Sequence, residues 1–260
     1  MSNRSFYKRY IRPLLPFPHR RTLKRWFPPF EHRNIAHLVA KHGITLVLDV
    51  GANEGQFGRQ LRATGYRGRI VSFEPIGTVH ATLSSAAGGD SAWIIAPPLA
   101  LGRSPGHADI DVHADTSISS FRTLRHIPFT APTEGPIAPT RRERVEVARL
   151  DDIFDRYVRP TDKVLLKIDV QGFESEVLSG ATASLPRVEA VLIEVSLVPM
   201  YDDEPGYLDM LGHLRSLGFH AVFFSSVMGR RRLGEEWEYN AFCVRRPPVA
   251  PHASHLGDAP

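Results

Sequence analysis

Val47-Leu48-Asp49-Val50-Gly51-Ala52-Asn53-Glu54-Gly55-Gln56-Phe57 reads as a buried strand running into a glycine turn and then a helix. Leu46, Val47, Leu48 and Val50 supply the apolar strand. Gly51 and Gly55 remove side chains where a ligand would approach, and either adopts positive φ without steric penalty. Phe57 and Leu61, four residues apart, give the helix one apolar edge, and Gly65 is placed to end it. Such a turn at the carboxyl end of a sheet presents bare backbone to a nucleotide-like ligand.

Working outward, the question is which ligand. A dinucleotide turn needs glycine at its third position, where the diphosphate approaches the backbone, and here that position is Asn53. This disfavours an NAD-dependent oxidoreductase, which remains a rival on a similar sheet. S-adenosylmethionine has no diphosphate and tolerates a side chain there. Glu74 follows the apolar strand Arg69-Ile70-Val71-Ser72-Phe73, twenty-three residues after Gly51. An acid ending the second strand is placed to accept both hydroxyls of an adenosine ribose; the alternative is a solvated loop carboxylate before Pro75.

The rest of the core alternates. Ile35, Leu38 and Val39 share one face of a short helix ended by Gly43. Strand 46–50, helix 55–64, strand 69–73, helix 76–87 and strand 92–96 follow, an order that implies a parallel sheet with helices on both faces. Residues 107–150 break the rhythm with two strands, His107 to Val112 and Arg144 to Leu150. The Pro-, Thr- and Ser-rich loop between them (about 114–142) is long for a compact domain and reads as a lid or acceptor-binding segment. Alternation resumes with strand 163–168, helix 173–180 and strand 188–195. In helix 206–217, Tyr207, Met210, Leu211, Leu214 and Leu217 form one apolar stripe. Strands 219–225 and 239–245, joined by a short link, read as antiparallel neighbours.

At 260 residues, 42% hydrophobic and 23% charged, the chain has the composition of an ordinary globular protein. Its one cysteine, Cys243, excludes a disulfide framework and reads as a buried structural thiol. No apolar run approaches the ~20 residues needed to span a bilayer, and no signal-peptide pattern is present; the expectation is a cytoplasmic protein, peripheral at most to a membrane. The net charge of +4 hides an asymmetry. Residues 1–30 carry eight Lys or Arg and no acid, leaving 24 basic against 28 acidic residues in the remainder. Aromatics such as Tyr7, Tyr10 and Trp26 interleave with those charges, which suits an anionic membrane surface. Packing on the acidic body or on a partner subunit of a homo-oligomer would serve equally. A non-catalytic anionic-surface-binding protein is therefore a second rival. No nucleic-acid partner is expected. The division read from sequence is a basic aromatic arm over 1–34, a catalytic domain over 35–246 with its insertion at 107–150, and a disordered proline-rich tail over 247–260.

Leu165-Leu166-Lys167-Ile168-Asp169-Val170-Gln171-Gly172-Phe173-Glu174, with Val47–Phe57, Ser72-Phe73-Glu74-Pro75, Ala100-Leu101-Gly102, Ser119-Ser120-Phe121, Leu150-Asp151-Asp152-Ile153 and Ser179-Gly180-Ala181, resembles the FkbM family of S-adenosylmethionine-dependent methyltransferases. The similarity runs from about residue 44 to 225. It implies a seven-stranded, Rossmann-like class I methyltransferase fold, mostly parallel with one antiparallel strand. It also implies O-methylation of a hydroxyl on a sugar, glycan, glycolipid or polyketide-type metabolite. Carried over by position, Asp49, Gly51, Asn53 and Gly55 form the methionine side of the cofactor pocket, Glu74 holds the ribose, and Ala100 and Leu101 border the adenine. The acid that many relatives of this fold place near the adenine amino group is missing here.

Asp169 ends the fourth core strand, where such sheets open onto the ligand crevice. It is placed to bind the cofactor ammonium, orient the acceptor hydroxyl or ligate a metal; as an alternative it caps the following helix. Glu174 is as well explained by the helix macrodipole as by function. Asp169 and Glu194, ending neighbouring strands, could hold one Mg²⁺ through oxygen ligands, or one of them could act as base. His126, in the inserted loop, is a further base candidate.

Overall fold

The computed structural model describes residues 30–125, 138–228 and 236–246. The arm up to residue 29, His126 and the middle of the inserted loop, and the tail from 247 lie outside the described residues.

In chain order the elements are α1 (Phe30–Lys41), β1 (Leu46–Val50), α2 (Gln56–Ala63), β2 (Arg69–Phe73), α3 (Gly77–Ala87), β3 (Trp93–Ile95), β4 (Ala100–Leu101), β5 (Gly106–Val112), β6 (Arg141–Ala148), α4 (Leu150–Tyr157), β7 (Val164–Ile168), α5 (Glu174–Ser179), β8 (Val188–Ser196), α6 (Tyr207–Ser216), β9 (Phe219–Met228) and β10 (Glu238–Arg245). Seven strands form one sheet in the order β3-β2-β1-β7-β8-β10-β9. β10 runs antiparallel to both of its neighbours, and the other pairings are parallel. The chain leaves β1 toward β2 and β3, then returns to β7 on the other side of β1. The β1–β7 boundary is therefore the topological switch point, where open α/β sheets place ligands.

The sheet is buried on both faces because its strands are apolar on both. Leu46, Leu48 and Val50 join Leu166 and Ile168 in a core closed by Phe154 and Tyr157 of α4, Val177 and Leu178 of α5, and Met210 and Leu214 of α6. Val47, Leu165, Leu192 and Phe242 face the other way, against Ile35 and Val39 of α1, Leu61 of α2, and Leu83 and Ala87 of α3. Fully burying one such aliphatic side chain contributes roughly 1.5–3 kcal/mol. Cys243 lies inside the first core, and burial pushes its thiol up to about 12.

The insertion makes a second sheet, β4-β6-β5, with its own core of Ile110, Val112, Val145 and Val147. Four readings change here. The strand read as Arg144 to Leu150 begins at Arg141 and ends at Ala148. Leu150 instead opens the unanticipated α4, in which Leu150, Phe154 and Tyr157 bury one stripe and Asp151 and Asp152 sit in the first turn, where acids suit the macrodipole. Residues 100–101 are a short strand hydrogen-bonded to the insertion. Helix α1 also starts at Phe30, inside the stretch read as arm.

Candidate active site

Three left-handed residues shape the turn after β1: Gly51 at φ 72°, Asn53 at 46° and Gly55 at 80°. Asparagine is among the few other residues that adopt this conformation readily. The Gly51 and Ala52 amides donate to the Phe73 carbonyl, at 3.1 and 3.0 Å. A Cβ on Gly51 would lie 1.8 Å from the Asp169 carbonyl oxygen, so glycine lets the ends of β1 and β7 close together. Gly55 is not in the cleft wall. The space of its missing side chain faces Leu83 and Trp93, which gives it a packing task in place of the ligand approach expected from sequence.

Glu74, 5% exposed, takes the Asn53 amide on Oε2 and the Ile76 amide on Oε1, both at 2.9 Å. Burial pushes its carboxyl up to about 7, although the two amides oppose the shift. Each oxygen keeps a lone pair free for a further donor. The Asn53 side chain turns aside: its Oδ1 accepts from the Glu54 amide and from Thr116 Oγ, tying the turn to the insertion.

A cleft of about 370 Å³ opens over this end of the sheet. It is walled by Gly51, Asn53, Glu74, Ala100, Leu101, Asp169 and Glu194, all singled out from sequence. Asp49 is fully buried beneath its floor. There it accepts from Ser72 Oγ at 3.2 Å and pairs with Lys167 at 3.1 Å.

Lys167 and Gln171 were missed in the sequence. Lys167 stands mid-strand in the apolar run Val164-Leu165-Leu166-Lys167-Ile168, and an isolated lysine in a buried strand was a legible signal. Its Nζ donates to the Gly51 carbonyl at 2.8 Å and lies 3.3 Å from Asp169 Oδ2. Burial alone would push this ammonium down, but Asp169 and Asp49 outweigh it and hold it above the ordinary lysine range. Gln171, at φ 56°, extends Nε2 to Asp169 Oδ1 (3.0 Å) and to Glu194 Oε2 (2.8 Å), while its Oε1 accepts from the Tyr201 hydroxyl at 2.9 Å.

The two carboxyls are thus made unequal. Burial opposes ionisation of Asp169, yet Lys167, Gln171 and Glu194 hold it below the usual carboxylate range. Glu194, 8% exposed, is pushed well up by burial and then by Asp169, Glu238 and Glu174. Asp169 is thus the carboxyl whose ionised form is favoured, and Glu194 the one whose ionisation is opposed. The side-chain polar atoms of the pair facing each other are already served by an ammonium and an amide, a donor set that does not suit a divalent ion. Among the described residues no group of three or more His, Cys, Asp or Glu could hold one. A Mg²⁺ held by Asp169 and Glu194 would have to displace the Lys167 ammonium and the Gln171 amide.

Glu174 does not reach the cleft. Its Oε1 accepts the Val170 and Gly172 amides, at 3.0 and 3.3 Å, and burial pushes its carboxyl up to about 7.

A sheet in this order, a glycine turn after its first strand and an acid at the tip of the second define a class I methyltransferase, which uses S-adenosylmethionine. The chain belongs to the FkbM family: the Methyltransferase FkbM domain matches residues 49–221. The NAD-oxidoreductase and non-catalytic rivals fall with that finding. No curated protein matches the chain. Among solved structures it is similar to magnesium protoporphyrin IX methyltransferase from Synechocystis PCC 6803 with bound SAM (10% identity, 83% of this chain and 78% of that one, TM-score 0.44). It is also similar to the O-methyltransferase TomG from Streptomyces achromogenes, involved in tomaymycin synthesis, in complex with SAM (13%, 84% and 80%, 0.46). A third is a SAM-dependent methyltransferase from Aquifex aeolicus (12%, 86% and 92%, 0.41).

The cleft fits the cofactor. Glu74 keeps a free lone pair on each oxygen, and Leu99, Leu101 and Ile110 add an apolar lining. No described helix is long and apolar enough to cross a membrane.

Proposed function

We propose that the protein transfers a methyl group to a hydroxyl oxygen of a sugar, glycan, glycolipid or polyketide-type acceptor. The observation that carries this reading is the Asp169 carboxylate, one-third exposed into the cleft and held ionised by Lys167 beside the cofactor turn. S-adenosylmethionine, when bound, supplies a methyl carbon already activated by positive sulfur. What the chain must add is orientation, which can be worth ~7–11 kcal/mol. Glu74 holds the ribose and the Gly51–Asn53 backbone the methionine side. Asp169 accepts a hydrogen bond from the attacking hydroxyl and aligns its lone pair. With the Lys167 ammonium and the Gln171 amide already on it, Asp169 is a weak base, so the proton moves toward it late, as the oxygen gains positive charge. Gln171 and Glu194 keep Asp169 from turning away.

The same reading takes residues 35–246 as the catalytic domain and the arm as a peripheral contact with an anionic surface, supported by its charge. Asp169→Asn tests the central role. Turnover with radiolabelled S-adenosylmethionine should fall roughly 10²–10⁴-fold, with S-adenosylhomocysteine affinity within a few-fold of the parent by calorimetry. Unchanged turnover would make Asp169 structural.

A further inference from the structure

The chain that follows β5 spans the two turns that flank the switch point. Thr116 to Ile118 form a single 3₁₀ turn capped by Asp115, whose Oδ1 accepts from the Ser117 amide at 3.0 Å. Thr116, Ser117, Ile118, Ser119 and Phe121 all line the cleft. One end of this segment is moored on the turn after β7. There Ser120 Oγ donates to the Gln171 carbonyl at 2.5 Å, and the Phe121 and Phe173 rings lie 4.9 Å apart. Just beyond, the Arg125 amide donates to the Met200 carbonyl at 2.8 Å and the Asp202 amide to the Thr123 carbonyl at 3.0 Å. The other end reaches the turn after β1 through a side chain: Thr116 Oγ lies 3.0 Å from Asn53 Oδ1.

The direction of that last bond is fixed by its neighbour. Asn53 Oδ1 also takes the Glu54 amide at 2.8 Å. A backbone amide can only donate, so this atom is the side-chain oxygen and Thr116 supplies the proton. Asn53, held at φ 46°, gives its own amide to Glu74 Oε2 at 2.9 Å. A relay therefore runs from the insertion through Asn53 to the acid at the tip of β2. We infer that Thr116 is a positioning residue for the cofactor, which through Asn53 sets Glu74 against the ribose diol. The inference rests on the reading of Glu74 as the ribose-holding acid. Left-handed backbone is costly for a residue with a Cβ, and asparagine tolerates it because its short side chain hydrogen-bonds locally. Here one of the two bonds to Oδ1 comes from outside the turn, from Thr116. Without it the Asn53 peptide is freer to rotate, and Glu74 Oε2 loses the donor that aims it. The insertion thereby takes part in holding the methyl donor.

Thr116→Val, close to threonine in shape but without the hydroxyl, tests this on the full chain. S-adenosylhomocysteine is titrated by calorimetry. Adenosine and dideoxyadenosine, the latter lacking both hydroxyls of the diol, are measured by displacing it. The parent should prefer adenosine to the dideoxy compound by about tenfold or more. In Thr116→Val, S-adenosylhomocysteine and adenosine should each bind about five- to tenfold more weakly, the worth of one hydrogen bond, with dideoxyadenosine within about twofold of the parent. Thr116→Ser, which restores the hydroxyl, should recover the parent affinities to within about twofold. Asn53→Gly keeps the left-handed backbone and removes the relay, so adding Thr116→Val to it should change S-adenosylhomocysteine affinity by less than about twofold. A threonine that merely packed would not separate the two nucleosides, and serine would not rescue it. An undiminished preference for the diol in Thr116→Val, no rescue by serine, or additive losses in the double variant would overturn the inference and leave Glu74 on the ribose. Equal binding of adenosine and dideoxyadenosine by the parent would overturn the ribose reading itself, and the inference with it. Should Thr116→Val fail to fold, Thr116→Ala decides by the same criteria.

Discussion

The turns after β1 and after β7 use the same device to different ends. Each follows a buried strand, each contains left-handed residues, and each is pinned by a buried glutamate that takes two backbone amides. Burial pushes both glutamates up to about 7. The difference is which way the acceptor oxygens face. Glu74 divides its amides between two oxygens and stands in the cleft wall. Glu174 loads both amides onto one oxygen and stands behind the turn. Holding a loop and holding a ligand therefore look alike in residue type and in titration, and only geometry separates them.

The severest way to break the comparison is at the point where the two turns touch. In Gly51→Ala the new Cβ meets the Asp169 carbonyl at φ 72°. The left-handed penalty and the clash together should cost ~3 kcal/mol or more. For a domain of this size that lowers Tm by roughly 6–12 °C, read by calorimetry. A parent-like Tm would mean that the turns can separate freely.

Glu74→Gln comes next. One oxygen becomes an NH₂ that must face the Asn53 or Ile76 amide, donor against donor, and one ribose acceptor is lost. S-adenosylhomocysteine should bind roughly 100-fold more weakly, about 2.7 kcal/mol. In the parent protein the same affinity should weaken as pH falls below about 7, because the protonated carboxyl accepts fewer donors. A pH-independent affinity between 5.5 and 8 would detach Glu74 from the ribose.

The smallest effect belongs to Glu174→Gln, which keeps the loaded oxygen and removes only the charge. A folded-state value above the unfolded one means that Glu174 contributes stability below about pH 4.5 and loses it as pH rises through about 7. Removing the charge should raise stability at pH 8.5 by on the order of 2 kcal/mol, leave it unchanged near pH 4, and leave cofactor affinity untouched. A variant less stable than the parent at pH 8.5 would show that the ionised carboxylate is an asset to the β7–α5 turn.

Much of this was legible beforehand. Strand β1 and strand β2 fall on the residues predicted for them, because continuous apolar runs bounded by glycine and proline leave few alternatives. Helix α4 was missed because Arg144 to Leu150 read as a strand, although Leu150, Phe154 and Tyr157 carried its period. Lys167 was visible as a misplaced charge and was passed over. Gln171 carried no such mark, since a glutamine beside glycine reads as an ordinary loop.

The sequence by itself determined the alternation of strands and helices, the glycine turn, the acid at the tip of β2 and hence the family and its methyl donor, because these depend on local period and short spacing. Tertiary structure alone decided which acid is held beside a buried lysine and which glutamate faces the cleft. Those properties depend on burial and on groups as far apart in the chain as Gly51, Lys167 and Glu194, and no local pattern encodes the field that such groups make together.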